Sequence, residues 1–401
     1  MIADRFGPLN MRVAGVDPER KFGGGEVQVL GLTLELKRAG HEVELLCDPD
    51  GLLWRRAQQA GIACWPLRIR NSLDFLAGLR LRRILNRRHY DIVHFHTARA
   101  HALAPFARRR AGALIVTRRM DYPPNRWFAP WLYNQAVAGV AAISESVASA
   151  LAISGVMRER ITIIPSGVDC RRFAPPSVAT RQQARTALGI GPDQVAIGAI
   201  GALVPRKGHQ VLLDAMALAC HDGRSQATLD GLRCLIAGAG PLHDELASRI
   251  EQTGLVGAVK LLGYLEEPIT LLHALDIFVM PSLSEGLGVA ALEAAAVGLP
   301  VIASAVGGLR EVVKDGRTGV LVRRGDPAML AQAIRRLAVD RAERARMGRE
   351  SRAWVVQNWS MELMAKRTLD LYCSCLDGGR KAAGSSGRAP DYTNCQGDPA
   401  T

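Results

Sequence analysis

The sequence predicts an α/β protein made of two consecutive doubly wound, Rossmann-like domains, and three observations carry that reading. Short apolar runs alternate with longer amphipathic segments along most of the chain, as βαβ units around parallel strands require. The runs are too many for one open sheet of ordinary width. A belt of prolines and glycines, Pro165, Gly167, Pro175, Pro176, Gly189, Gly191 and Pro192, then interrupts the alternation near residues 165–193. A cleft between the two domains is the expected ligand site.

In chain order, the first-half strands are expected at residues 11–16, 42–47, 62–65, 91–95, 113–117, 139–143 and 161–164. Helical spacing separates them, for example over 26–39 and 73–88. The second half repeats the scheme with runs at 195–200, 233–237, 259–261, 277–280, 301–303 and 320–322. Parallel strands need crossover connections, so the intervening segments read as helices. The expected division is a first domain over 1–170, which would bind an acceptor, a linker over 171–193 and a second domain over 194–350. Helices over 351–376 are expected to return to the first domain. The Gly-, Ser-, Pro- and Asp-rich stretch 377–401 reads as a disordered tail.

Composition narrows the function classes. Of 401 residues, 48% are apolar and 22% charged, which excludes a disordered or fibrous chain. Lys and Arg number 51 against 38 Asp and Glu, a net charge of +13. Residues 1–175 carry 26 basic and 15 acidic side chains and so own most of that field, which should attract something anionic. The eight scattered cysteines read as reduced thiols rather than a disulfide framework. Asp4, Arg5 and Pro8 leave no apolar run at the start, so no secretory signal is expected and the expected location is the cytoplasm. The weakly charged stretch 286–309 is long enough to span a bilayer, but Glu293, Pro300 and its glycines argue for a buried helix followed by a buried strand.

Residues 281–304, PSLSEGLGVAALEAAAVGLPVIAS, are the most informative. A strand ending at Met280 leads into a polar turn with Ser282, Ser284 and Glu285, after which Gly286 and Gly288 open a helix. Free amides at such a helix start suit a phosphate. Glu285 and Glu293 should lie on the order of 10 Å apart along the axis. That is too wide for a hydrolase pair forming a covalent intermediate, which needs about 5–5.5 Å. The bland alternative is a capping box of Ser282 and Glu285 with Glu293 in solvent. Against it, Glu293 sits among Ala and Val, where a carboxylate wants a partner.

Further along, GAIGALVPRKG at 198–208 presents Arg206 and Lys207 at a strand's carboxyl end, two cations suited to a diphosphate. KFGGGEVQ at 21–28 places Gly24 and Gly25 in a loop that permits close backbone approach to a ligand. In DIVHFHT at 91–97, His94 reads as a core residue and His96 as the site candidate facing the interdomain space. The loop 238–241 is a further candidate lining. Asp48 to Asp50 reads as a turn, and no companion ligands give Cys373 and Cys375 metal-binding spacing, so no metal site is expected.

Together these segments resemble the group 1 family of retaining glycosyltransferases with the two-domain GT-B fold. The likeness rests on two glutamates in EGLGVAALE, the Arg206-Lys207 pair, the glycines at 23–25, the HxH strand end and the linker phrase IPSGVD at 164–169. It runs from about residue 11 to 372. Leu287 stands where many relatives carry an aromatic residue, and Ser166 where Asn is common. The resemblance implies transfer of a sugar from a nucleotide-diphosphate sugar with retention and no obligatory metal or cofactor. It implies that Arg206 and Lys207 neutralise the leaving diphosphate and that the loop Gly286, Leu287, Gly288 and the loop Gly24, Gly25 add contacts. Glu293 would bind the ribose, Glu285 the sugar hydroxyls, and His96 would touch the sugar near the reacting carbon.

Leu73, Leu76, Leu79, Ile84 and Leu85 recur at helical spacing among Arg80, Arg82, Arg83, Arg87 and Arg88, with residues 108–110 and Arg118 and Arg119 adding charge. Such a helix suits an anionic membrane surface on the inner leaflet, or is simply a solvated face. The expected acceptor is a glycan or lipid-linked molecule, such as a precursor of lipopolysaccharide or another envelope polysaccharide. Two rivals are weaker. A nucleotide-cofactor-dependent oxidoreductase lacks a complete G-x-G-x-x-G after a strand, and a nucleic-acid binder lacks an aromatic platform, aromatics being 5%.

Overall fold

The structure, a computed structural model, describes residues 10–220 and 231–384. The chain start and Cys395 lie outside the described residues. Seven parallel strands form the first sheet: β1 (Arg12–Asp17), β2 (Glu42–Cys47), β3 (Ala63–Pro66), β4 (Tyr90–Phe95), β5 (Ala111–Arg118), β6 (Gly139–Ala142) and β7 (Ile161–Ile163), in the order β3-β2-β1-β4-β5-β6-β7. Six form the second: β8 (Val195–Ile200), β9 (Leu232–Ala237), β10 (Val259–Gly263), β11 (Ile277–Met280), β12 (Val301–Ser304) and β13 (Gly319–Val322), in the order β10-β9-β8-β11-β12-β13. Each expected run falls on one of these strands. Side chains of the inner strands are buried on both faces because helices cover both, which is why these strands read as apolar runs rather than alternations, whereas the edge strands β3, β7 and β10 are partly exposed.

Strand order reverses between β1 and β4 and again between β8 and β11. Loops leaving these four carboxyl ends diverge and open a crevice at each sheet. Asp17 ends β1, His96 follows β4, the Arg206-Lys207 loop follows β8 and the Glu285 loop follows β11. Topology alone therefore delivers most of the candidate residues to two facing edges.

The segment expected as a linker is not irregular throughout. Ser177 caps a helix, Val178–Ala187, whose Arg181 and Arg185 pair with Asp276 at 2.8 and 3.0 Å. The four-residue spacing puts both guanidiniums on one helix face, which docks the segment on the second lobe. At the other end, Met361, Met364, Leu371 and Tyr372 of the last helix pack against Met11, Val13, Ile92 and Ile115 of the first lobe. The helix runs on to Gly384, past the expected start of the tail at residue 377. Arg380, Lys381, Ala382 and Ala383 are strong helix formers, and elongating an anchored helix needs no new nucleus. Residues 385–401 of the expected tail lie outside the described residues. Among the described residues no helix is long and apolar enough to cross a membrane. The 286–309 stretch instead supplies the helix Val289–Ala296 and β12.

Candidate active site

On the second lobe, Pro205–Lys207 forms one 3₁₀ turn that ends at Gly208 in the left-handed region, φ +67. A side chain at Gly208 would strike the Pro281 carbonyl oxygen, so glycine here lets the loop after β8 lie against the loop after β11. Leu283 N donates to the Arg206 carbonyl at 2.8 Å and ties the two loops together. Lys207 Nζ reaches Glu285 Oε2 at 2.5 Å, both side chains largely buried, and Ser282 Oγ donates to the same carboxylate oxygen at 3.3 Å. The cation and the first glutamate of the motif are thus direct partners. The Arg206 guanidinium is exposed and has no ion-pair partner among the described residues, so only half of the expected doublet is aimed at the acids.

Gly286, Leu287 and Gly288 are buried, and among the described residues nothing accepts a hydrogen bond from their amides. Buried amides without partners are rare, and three in sequence before a helix make a site for an anion. The Leu287 side chain itself packs in the core, so its contribution to a ligand is its amide alone. Packing dictates this, since the apolar side chain one residue before the N-cap Gly288 turns under the helix.

Glu293 lies inside the helix Val289–Ala296 and is buried, and its carboxylate has no hydrogen-bond partner among the described residues. Burial raises its carboxyl to about 7, with Arg172 opposing and Glu267 adding to the rise. It is not the solvated glutamate of the bland alternative. Nor do Ser282 and Glu285 form a capping box on this helix, whose N-cap is Gly288.

The first lobe meets this loop across the crevice. Ser144 Oγ donates to the Gly286 carbonyl at 2.7 Å, Ser284 Oγ donates to Asp121 at 2.7 Å, and Glu145 N donates to Glu311 at 3.0 Å. Gly24 faces Val289, and Gly25 faces the Arg119 side chain. His94 is locked in the core, its Nδ1 at 2.7 Å from Tyr372 Oη and its Nε2 at 2.7 Å from Thr117 Oγ1. His96 stacks on it with ring centroids 4.0 Å apart. Burial holds the His96 imidazole well below the usual histidine range, so it is neutral.

Two features escaped the sequence reading. Arg118 and Arg119, counted there as surface charge, turn into a pocket of about 300 Å³ that Asp17, Glu26, His96 and Tyr122 also line. Arg118 ends β5 and Arg119 follows it, and the carboxyl end of a strand next to β4 faces the crevice, not solvent. The second is the turn at Gly307 and Gly308 after β12. Gly307 has φ +47, any side chain there would meet the Glu285 carbonyl, and Gly308 N donates to that carbonyl at 3.3 Å. The loop 238–241 rests on the loop after β8 through Leu203 N donating to the Ala239 carbonyl at 3.0 Å. Asp48 and Asp50 form a turn paired with Arg20 and Arg68. Among the described residues no three His, Cys, Asp or Glu side chains are grouped to hold a metal, and the seven described cysteines are free thiols.

Comparison with known proteins adds the family. Residues 180–354 match the family described as glycosyl transferases group 1, and residues 22–172 match glycosyltransferase family 4. The D-inositol 3-phosphate glycosyltransferase of Mycobacterium marinum is 31% identical over 360 residues, 78% of this chain and 72% of that protein. A GDP-mannose-dependent alpha-(1-6)-phosphatidylinositol monomannoside mannosyltransferase of Mycolicibacterium smegmatis is 30% identical over 321 residues, 76% of this chain and 80% of its own length. With the Corynebacterium urealyticum D-inositol 3-phosphate glycosyltransferase, 34% identical, the match covers 54% of this chain and 52% of that enzyme, so the chain spans about half of this relative. In fold, a Rickettsia africae glycosyltransferase superposes with a TM-score of 0.81 at 21% identity, covering 92% of this chain and 99% of that one. Anabaena HepE in complex with UDP-glucose gives 0.80 at 23%, covering 91% and 100%. Two facing parallel sheets of the GT-B type, with both halves matched in order, make this chain a member of the group 1 glycosyltransferase family.

Proposed function

We propose that the chain transfers a hexose from a nucleotide-diphosphate sugar to a glycan or lipid-linked acceptor, with retention at the anomeric carbon and without a metal. The observation that carries this is the Lys207–Glu285 pair set beside the unbonded amides of Gly286, Leu287 and Gly288. A leaving diphosphate develops negative charge, and fixed donors aimed at that charge lower the barrier without reorganising. Lys207 and the amides would take the phosphates, with Arg206 swinging in from solvent. Glu285, freed by the phosphate's competition for Lys207, would accept from the sugar hydroxyls. Glu293 would accept from the ribose, and neutral His96 would touch the sugar from the opposite lobe. A departing phosphate oxygen can itself take the acceptor's proton, so no strong protein base is required. Because the chain supplies its own cationic and amide donors, a metal has no vacant task in this scheme.

Incubation with a panel of UDP-, GDP- and ADP-sugars in EDTA tests the proposal. One donor should be hydrolysed slowly and should raise the melting temperature, and NMR should show the released sugar first as the donor's own anomer. Failure of every donor, or an inverted first product, overturns it.

The acceptor side has its own support. The helix Phe75–Arg87 buries Ala77, Gly78, Leu81 and Leu85, while Leu73, Phe75 and Leu76 are 91%, 61% and 60% exposed beside exposed Arg80, Arg82, Arg83 and Arg87. Apolar side chains flanked by arginines suit the interface of an anionic bilayer, at about 1 kcal/mol per basic residue. This favours a lipid-linked envelope precursor, lipopolysaccharide among them, made at the inner membrane face. Co-sedimentation with phosphatidylglycerol vesicles should be strong and should vanish when Arg80, Arg82 and Arg83 are changed to Glu; binding indifferent to lipid charge removes the membrane from the proposal.

A further inference from the structure

The second lobe carries a cavity of about 520 Å³ that the donor scheme leaves unused. Ser284 after β11, Gly307 after β12, Arg310 in the short helix Leu309–Val312, and Arg323 and Arg324 after β13 line it, and Asp121 of the first lobe meets them across the crevice. Parallel pairing gathers these loops. Met280 lies beside Ala303, Ser304 beside Val322, and Ala305 N donates to the Val322 carbonyl at 2.8 Å. Gly325, with φ +69, faces the Leu283 side chain, so the turn after the two arginines rests on the loop after β11.

Charge in this cavity is out of balance, with three arginines against one aspartate. Arg323 pairs with Asp326 at 3.1 Å, and Arg310 engages its Nε with the Ala305 carbonyl at 2.7 Å. The exposed guanidiniums of Arg310 and Arg324 have no ion-pair partner among the described residues. Asp121 Oδ2 accepts from Ser284 Oγ, and its Oδ1 has no hydrogen-bond partner among the described residues.

Position separates this cavity from the donor's phosphates. β13 stands three strands from β8, about 14 Å at the usual spacing, so its arginines form a set of cations distinct from Lys207. Glu293, placed at the ribose, feels the charge of Glu267 beyond β10, at the opposite edge of the sheet. The nucleotide therefore runs away from the cavity. Ser284, in contrast, adjoins Glu285 at the donor sugar, so a molecule in the cavity stands beside the sugar to be transferred.

The lining also selects the ligand. Two guanidinium forks present more donors than one carboxylate can accept, whereas a phosphate monoester offers three oxygens and nearly two charges at pH 7. The volume exceeds what a bare ion fills and lies in the range of small-molecule pockets. We propose that this cavity binds a phosphate group borne by the acceptor saccharide, with Arg310 and Arg324 donating to the phosphate and Asp121 accepting from a neighbouring hydroxyl. The inference rests on the glycosyltransferase reading, which places a donor sugar at Glu285.

Isothermal titration calorimetry on the full chain at pH 8 tests it, with glucose 6-phosphate as probe and methyl glucoside, glucuronate and inorganic phosphate as its uncharged, carboxylate and bare-ion counterparts. The wild type should bind glucose 6-phosphate at least tenfold more tightly than each counterpart. Arg310→Gln combined with Arg324→Gln should weaken that binding at least tenfold, with the melting profile still cooperative because both side chains are exposed. Arg324→Lys keeps the charge and loses the fork, and should weaken binding at least threefold, whereas a merely solvated positive face would bind as before. Phosphatidylglycerol vesicles separate a lipid headgroup from a sugar phosphate, and the double variant should co-sediment with them to the same extent as the wild type. No binding by the wild type, a preference for any counterpart, equal binding by the double variant or by Arg324→Lys, or vesicle binding lost in the double variant overturns the proposal. Absence of donor hydrolysis in the wild type, with glucose 6-phosphate binding intact, would instead remove the nucleotide-sugar reading and leave the phosphate site standing.

Discussion

At the carboxyl edge of the second sheet, Lys207 and Glu285 pair at 2.5 Å and Ser282 donates to the same carboxylate oxygen. At the same edge of the first sheet, Asp17, His96, Arg118 and Arg119 each leave a buried atom with no hydrogen-bond partner among the described residues. The two lobes share a topology and handle polarity in opposite ways. A ligand of full charge is matched by a charge pair that holds the empty site together and opens by exchange, since an incoming phosphate competes for the same ammonium. On the proposed function, the second lobe takes the charged half of the reaction and the first lobe the other half.

The largest effect should come from breaking the pair. Lys207→Ala should lower transfer by about 10²–10³-fold, the usual loss for one preorganised donor at a developing anion. It should also cost about 3 kcal/mol of stability, because Glu285 is left buried and uncompensated. Adding Glu285→Gln should recover most of that stability and none of the activity. Denaturant midpoints and steady-state transfer separate the two readouts. Transfer by the single variant within threefold of wild type would mean the charge pair is a structural rivet and the comparison between the lobes is mistaken.

Much of this architecture was legible in the sequence because parallel strands under two helical layers write continuous apolar runs, and 42–47, 195–200 and 277–280 coincide with β2, β8 and β11. The Glu285 loop was legible too, since small residues between a strand and a helix have few other uses. What stayed hidden depends on several segments meeting. Asp17 looks like the start of an Asp-Pro turn, and only the closure of β4 and β5 beside β1 buries its carboxyl. Arg118 and Arg119 look like their neighbours at 108–110, and the facing direction of a strand end is a property of the sheet, not of the local sequence. Gly307 and Gly308 carried a signal that went unused, a glycine pair after an apolar run, like that at 286–288. Arg181 and Arg185 show the same limit inside the expected linker, where their partner Asp276 lies about ninety residues away.

A smaller effect sharpens the comparison from the side of the buried acids. Asp17 and Glu293 give each lobe one carboxyl raised to about 7, but Glu293 has only Arg172 to oppose burial, and Glu267 works against it. A folded-state value above the unfolded one means the native protein holds its proton longer, so this group's stabilising contribution is complete below about pH 4.5 and is lost as pH rises through 7. The full shift corresponds to a penalty on the order of 3 kcal/mol. Glu293→Gln should therefore match the wild type's melting temperature near pH 4 and exceed it by several degrees at pH 8. The same variant should bind its nucleotide about tenfold more weakly, since a ribose hydroxyl bonds a carboxylate more strongly than an amide. A variant equally stabilised at both pH values would show that packing, not ionisation, sets the cost. A variant that gained stability at pH 8 without losing nucleotide affinity would show that the strain at Glu293 serves no ligand, and the second lobe would then hold its donor by the Lys207 loop and the glycine amides alone.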